Sequence, residues 1–247
     1  MINLRNSFPD MADKDLVIIS KKFYHHLADL FIEVLKMAHM RGSEIQKRYK
    51  IVNPELLDEL HESGRSTIAV FGHYGNWEWI VSIPLSINYK SITVYKPLKN
   101  KYFDRYFLKF RTQYGNELVP MARTGRVLYT YEKEGVNTLT GLVADQTPPK
   151  REIQYWTRFL NQDAPVYLGI EKISRKYDMA VVFFRVDKIK RGYYELRVEM
   201  ISDKPGELEE YELTEKHVSI LEEQIKQKPE LWMWSHRRWK NKKPEIK

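Results

Sequence analysis

The tightest constraint on this chain is a junction. Ser66 to Phe71 is an apolar run of strand length, and it passes through Gly72 straight into His73-Tyr74-Gly75-Asn76-Trp77-Glu78. The pattern predicts a buried strand, a tight loop and a helix. α/β proteins place their chemistry at the carboxyl ends of such strands. On one continuous helix, residues five apart are separated by about 500°, so the side chains of His73 and Glu78 would stand about 140° apart and could not meet. They can meet if His73 lies in the loop and Glu78 in the first turn of the next helix, with Asn76 as its N-cap and Gly72 and Gly75 allowing the turn. Glu78 would then accept from one ring nitrogen and leave the other basic and facing substrate. Hydrolytic triads divide the labour in this way, but here the protein supplies no serine. A structural corner with an ordinary hydrogen-bonded histidine has the same spacing, so the hexapeptide alone leaves both readings open.

Further strands and helices alternate downstream. Ser91 to Tyr95, Thr138 to Ala144 and Ala180 to Val186 are short apolar or β-branched runs, and Tyr193 to Ile201 alternates as an edge or hairpin strand would. Helices are expected at Trp77 to Ile87, Tyr102 to Tyr114, Arg126 to Lys133, Tyr167 to Tyr177 and Glu212 to Gln227, with Gly115 and Gly135 at C-terminal stops. Asn53 and Pro54 mark the cap and first residue of a short helix. Asp13 to Arg48 reads as one or two helices in which Phe23, Leu27, Leu30, Phe31, Val34, Leu35 and Ala38 form an apolar stripe. That stripe suits either packing against the domain or a membrane-docking face. The alternation predicts an α/β fold with a mostly parallel central sheet covered by helices. With no repeat, low-complexity tract or linker, residues 1–247 read as a single domain: a helical part over 1–50 and an α/β core over 66–247.

The chain has no cysteine, which excludes disulfides, thiolate metal sites and a cysteine nucleophile. No Gly-x-Ser-x-Gly elbow, glycine-rich phosphate loop or His-Glu-x-x-His is present, and His25-His26 are adjacent rather than at ligand spacing, so no metal site is expected. The formal charge of +8 suits nucleic acid, an anionic membrane face or an acidic carrier protein, and equally a lysine-rich solvated surface. No stretch approaches the roughly 20 apolar residues that span a bilayer, and the N-terminus lacks a secretory pattern.

His-four residues-Asp/Glu is the signature of glycerolipid-type acyltransferases, and the wider context resembles the lipid A late acyltransferases, the lauroyl and myristoyl transferases. Four more segments resemble that family in order: Asn3-Leu4-Arg5-Asn6-Ser7-Phe8-Pro9, Val94-Tyr95-Lys96-Pro97, Val143-Ala144-Asp145-Gln146, and the terminal Pro229 to Lys240. The resemblance spans almost the whole chain. It implies a glycerolipid-acyltransferase-like fold and transfer of a fatty acyl chain, from an acyl-carrier-protein or coenzyme A thioester, to a hydroxyl of a lipid A precursor. No cofactor beyond that co-substrate is expected. Family members commonly carry a hydrophobic helix ahead of the first segment, which here begins three residues in. Attachment to the cytoplasmic face of the bacterial inner membrane is therefore expected to be peripheral, to an anionic lipid surface.

Residue roles follow. His73 is the expected general base and Glu78 its orienting acid, with direct attack by the acceptor hydroxyl and no acyl-enzyme. Arg111, Arg123 and Arg126 are candidates for the oxyanion or a phosphate; by resemblance, Arg111 matches a family arginine at similar distance. Asn76, Asp145 and Gln146 are candidates for positioning the acceptor, and Asp145 could instead orient Arg111. Trp239, with Arg237, Arg238 and Lys240, is expected at a lipid headgroup surface, whereas Trp232 could pack into the core and His236 could be a hydrogen-bonded core histidine. Two other readings stand beside this one: the same reaction on a lysophospholipid or aminolipid, and a non-catalytic nucleic-acid-binding protein whose tail stacks on bases.

Overall fold

The structure is a computed structural model and describes residues 1–244. The chain opens with three helices, α1 (Ile2–Ser7), α2 (Asp13–Met37) and α3 (Gly42–Arg48), before β1 (Tyr49–Ile51) and α4 (Glu55–Glu62). Next come β2 (Thr67–Phe71), a 3₁₀ helix (Trp77–Ser86), β3 (Lys90–Tyr95), α5 (Lys101–Thr112), β4 (Glu117–Pro120), α6 (Thr124–Lys133) and β5 (Thr138–Val143). The hairpin β6 (Tyr155–Phe159) and β7 (Gln162–Val166) precedes α7 (Gly169–Lys176), β8 (Ala180–Lys190), β9 (Tyr193–Ser202) and α8 (Glu212–Gln227).

Seven strands form one sheet in the order β1-β9-β8-β2-β5-β3-β4. Five of them, β8 through β4, run parallel; β9 returns antiparallel to β8, and β1 lies parallel to β9. The mostly parallel α/β fold expected from the alternation is therefore present. β2 is buried along its whole length, and its residues alternate between two cores, as the two-residue period of a strand requires. Ile68 and Val70 join Leu128, Ile170, Leu213 and Leu221 on one face of the sheet. Ala69 and Phe71 join Met37, Ile45, Leu57, Trp79 and Phe110 on the other.

Local outcomes differ from expectation in physically readable ways. The helix after the histidine loop is 3₁₀ rather than α, and it contains Pro84, which has no N–H to give. Asn53 does not cap α4: its side chain exchanges two 2.8 Å hydrogen bonds with the backbone of Val198, and Pro54 takes the cap position. Of the two places open to β9, it takes the hairpin: it returns antiparallel on β8 through the Arg191-Gly192 turn, and the short β1 covers part of its other side. The β6–β7 hairpin escapes the alternation pattern. Pro165 sits in it, and its turn places Leu160 and Asn161 at φ of 48° and 62°, the geometry of a type I′ turn with only one of the usual turn residues. On α2 the apolar stripe divides. Phe23 and Leu30 are buried, and Leu27, Val34 and Ala38 are half-buried, but Phe31 and Leu35 face outward.

Candidate active site

β2 and β5 are neighbours, with Phe71 opposite Val143. His73 lies two residues beyond Phe71 and Asp145 two residues beyond Val143, so parallel pairing brings both to the same level at the carboxyl end of the sheet. The Ala144 N–H donates to the Phe71 carbonyl at 3.0 Å and carries the register past the strand ends. There Nδ1 of His73 lies 2.6 Å from Oδ1 of Asp145, and the His73 backbone N–H donates to Oδ2 at 2.8 Å. The indole N–H of Trp232 donates to the same Oδ2 at 2.7 Å.

These contacts decide the state of the pair. A carboxylate that accepts three hydrogen bonds is favoured in its charged form. Burial pushes the Asp145 carboxyl up, but the charge and hydrogen bond of His73, with the bonds from Trp232 and the His73 backbone, hold it well below the ordinary carboxylate range. An ionised Asp145 can only accept, so Nδ1 of His73 carries the proton and Nε2 offers a lone pair. The Gln146 amide N–H donates to that lone pair at 3.1 Å. Burial lowers the basicity of His73, yet the charge and hydrogen bond of Asp145 outweigh it and raise the pKa above its ordinary value.

Glu78 does not hold His73. It forms a bidentate pair with Arg111, with Nη2 at 2.7 and 2.9 Å and Nε at 3.1 Å from its carboxylate oxygens. The reason is directional: the 3₁₀ turn aims Glu78 at α5, whereas the loop turns the His73 ring toward β5. Asp145 therefore takes the place expected of Glu78, and it is bound to the histidine rather than to Arg111. The ion pair still acts on the ring through its field, Glu78 raising and Arg111 lowering the basicity of His73.

Asn76 is a cap rather than an acceptor-binding group. It is buried, accepts from the Trp79 N–H at 3.2 Å and donates to Glu33 at 2.8 Å. Arg123 and Arg126 are exposed on the segment after β4, three strands from β2 and so about 14 Å across the sheet, and neither side chain is hydrogen-bonded to the His73 loop. The terminal belt also divides. Arg237 and Lys240 are exposed, but Arg238 is buried and donates to the Pro165 carbonyl at 2.7 Å. Trp239 is half-buried and stacks on Phe159. These two side chains fasten the tail to the β6–β7 hairpin, and the burial of Arg238 takes it out of the expected surface belt. His236 is half-buried, and its Nε2 accepts from the Thr147 N–H at 3.4 Å.

The tail does more for the site than expected. Gly75 N–H donates to the Leu231 carbonyl at 3.0 Å, and Met233 N–H to the His73 carbonyl at 3.1 Å, so residues 231–233 lie along the histidine loop like a short strand. Gly72 is required at the turn: a Cβ there would stand 2.6 Å from Leu221 of α8 and 3.2 Å from the Asp145 carboxylate. Beneath the loop, His26 of α2 lies 3.2 Å from the Gly75 carbonyl. A cavity of about 10 Å³ backs on Asp145, lined by His217, Leu221 and Arg238 among others. It has room for one water and none for an acyl chain.

With this geometry in place, comparison with known families is decisive. A family model described as Bacterial lipid A biosynthesis acyltransferase matches residues 1–241. The chain belongs to the bacterial lipid A biosynthesis acyltransferase family. A search among curated proteins finds no match. Family membership makes the protein an acyltransferase enzyme of lipid A biosynthesis, with a lipid acceptor and a thioester acyl donor. It decides against the non-catalytic nucleic-acid-binding reading. Among the described residues, no helix is long and apolar enough to cross a membrane.

Proposed function

We propose that this acyltransferase uses His73 as a general base, oriented by Asp145, to move a fatty acyl chain from a thioester to a hydroxyl of a lipid A precursor. The observation that carries this is the base whose proton is fixed on Nδ1 by a buried carboxylate while Nε2 stays available at the open side of the loop. The acceptor hydroxyl displaces the Gln146 amide and donates to Nε2. As its oxygen bonds to the thioester carbon, its proton passes to the ring. When the C–S bond breaks, the imidazolium returns the proton to the leaving thiolate. No acyl-enzyme forms and no cofactor beyond the thioester takes part.

Arg111 has a supporting place in this scheme. Glu78 engages its Nε and Nη2 and fixes the guanidinium plane, leaving the Nη1 hydrogens for a lipid phosphate or the developing oxyanion. The basic surface favours the acidic carrier protein as donor, with coenzyme A as the alternative. A hydroxyl on an already attached hydroxyacyl chain is the proposed acceptor, at the cytoplasmic face of the inner membrane. A mass-spectrometric comparison of lipids from cells with the protein, without it, and with His73→Ala tests the scheme. An added acyl chain that appears only with the intact histidine supports it. An unchanged lipid A accompanied by altered phospholipids or aminolipids would move the acceptor to those classes.

A further inference from the structure

α2 presents two apolar faces, and only one is covered. At about 100° per residue, Leu16, Phe23, His26, Leu30, Glu33 and Met37 fall on the inner side, and all are buried. Val17, Tyr24, Phe31 and Leu35 fall in a second stripe on the opposite side, flanked by Ile32 and Ile18, and all six are exposed, Tyr24 at 64% and Phe31 at 65%. An apolar stripe five turns long on a solvent face needs an occupant.

The charges beside it indicate which one. Lys14, Lys21, Lys22 and Lys36 of α2 are exposed. The acids of the same helix are mostly engaged: Asp13 by Arg5, Asp29 by Lys188 and Arg191, while Glu33 is buried on Asn76 and Tyr194. An apolar stripe edged by cations matches an anionic lipid interface, where apolar side chains enter the acyl boundary and lysines meet the headgroups.

The inner face of the same helix holds the histidine loop. His26 meets the Gly75 carbonyl and Glu33 accepts from Asn76, so the outer stripe stands about one helix diameter, roughly 10 Å, from that loop. We propose that the outer face of α2, centred on Tyr24, Phe31 and Leu35, docks on an anionic bilayer and holds the His73 loop close to a lipid-embedded acceptor. The choice of a bilayer rests on the acyltransferase reading above; the stripe, its exposure and its cations do not.

Because the chain has no cysteine, Phe31→Cys gives a unique site for an environment-sensitive fluorophore, with exposed Asp178→Cys as a remote control. The labelled full chain is mixed with phosphatidylcholine vesicles with or without phosphatidylglycerol, and no acyl donor is present. The expected result is a blue shift at position 31 on the anionic vesicles and none at 178. In vesicle flotation, Phe31→Glu/Leu35→Glu should lower binding on the order of tenfold or more, with unchanged circular dichroism. His73→Ala should bind like the unmodified chain, which separates loss of docking from loss of chemistry. The proposal is overturned by no shift at 31, by equal binding of the double variant, or by a solution dimer that the double variant dissociates while vesicle binding stays intact.

Discussion

One carboxylate, that of Asp145, holds both the ring and the backbone of His73: Oδ1 lies 2.6 Å from Nδ1 and Oδ2 accepts the His73 N–H at 2.8 Å. The aspartate therefore sets the tautomer, the ring orientation and the position of the loop together. Only the neutral ring can take a proton, and its pKa is raised. Activity should therefore fall about tenfold per pH unit below an inflection that lies above the ordinary histidine value of about 6.5. A profile of kcat/KM from pH 5 to 9 checks this, and an acid limb with its inflection below that value would show that Asp145 does not govern the base.

Trp232 links the tail to the same carboxylate. Phenylalanine at this position removes the 2.7 Å indole hydrogen bond to Asp145 and loosens contacts with Phe159, Trp234 and Trp239. A lost hydrogen bond to a buried charge costs about 1.5–3 kcal/mol, and the packing defect adds to it. Trp232→Phe should thus lose roughly 2–4 kcal/mol in urea unfolding and turn over more slowly. A loss within about 0.5 kcal/mol, the ordinary scatter of surface substitutions, would mean that the indole is not part of the dyad's support.

Glu33 ties α2 to the loop and to β9. Its Oε2 accepts from Asn76 at 2.8 Å and from the Tyr194 hydroxyl at 2.8 Å, and all three side chains are buried. Glu33→Ala would leave two buried donors unsatisfied, at about 1–3 kcal/mol each. Denaturant melts should show a drop of several kcal/mol, and hydrogen exchange should speed up at Trp79, whose N–H rests on the Asn76 cap. Unchanged exchange there would separate α2 from the loop.

Gly72 has no room for a side chain. Gly72→Ala drives a Cβ against Leu221 and toward Asp145. The leucine is flexible, so the expected stability cost is modest, about 1–3 kcal/mol. The larger effect should be on turnover, because the Asp145 carboxylate is crowded at the same time. A variant that is less stable yet fully active would place the displacement entirely in α8.

Much of this was legible in the residues. The strands that deliver His73 and Asp145 are apolar runs with clean ends, and both residues stand just beyond those ends. What could not be read was which acid meets the ring. Glu78 is near in sequence, whereas Asp145 is 72 residues away and becomes adjacent only when β5 inserts between β2 and β3. The equal two-residue offset from each strand end was an available signal, but it is usable only once the strand order is known. Arg238 misled because a charged side chain beside tryptophans looks like a surface belt; its burial depends on the Pro165 carbonyl, which belongs to a hairpin that composition does not announce. The stripe on α2 looked uniform because helical spacing records apolarity and does not record which side is covered.

The most direct test of the central claim sets Asp145→Asn against Glu78→Gln, with the His73 ring followed by NMR titration and turnover measured on the same samples. Asp145→Asn should drop the His73 pKa, since burial then acts with less opposition, and should lower turnover on the order of 10²- to 10⁴-fold. Glu78→Gln should shift the ring far less and should act mainly on lipid affinity through Arg111. If Glu78→Gln instead collapses the His73 pKa and turnover while Asp145→Asn leaves both intact, the dyad described here is not the catalytic base.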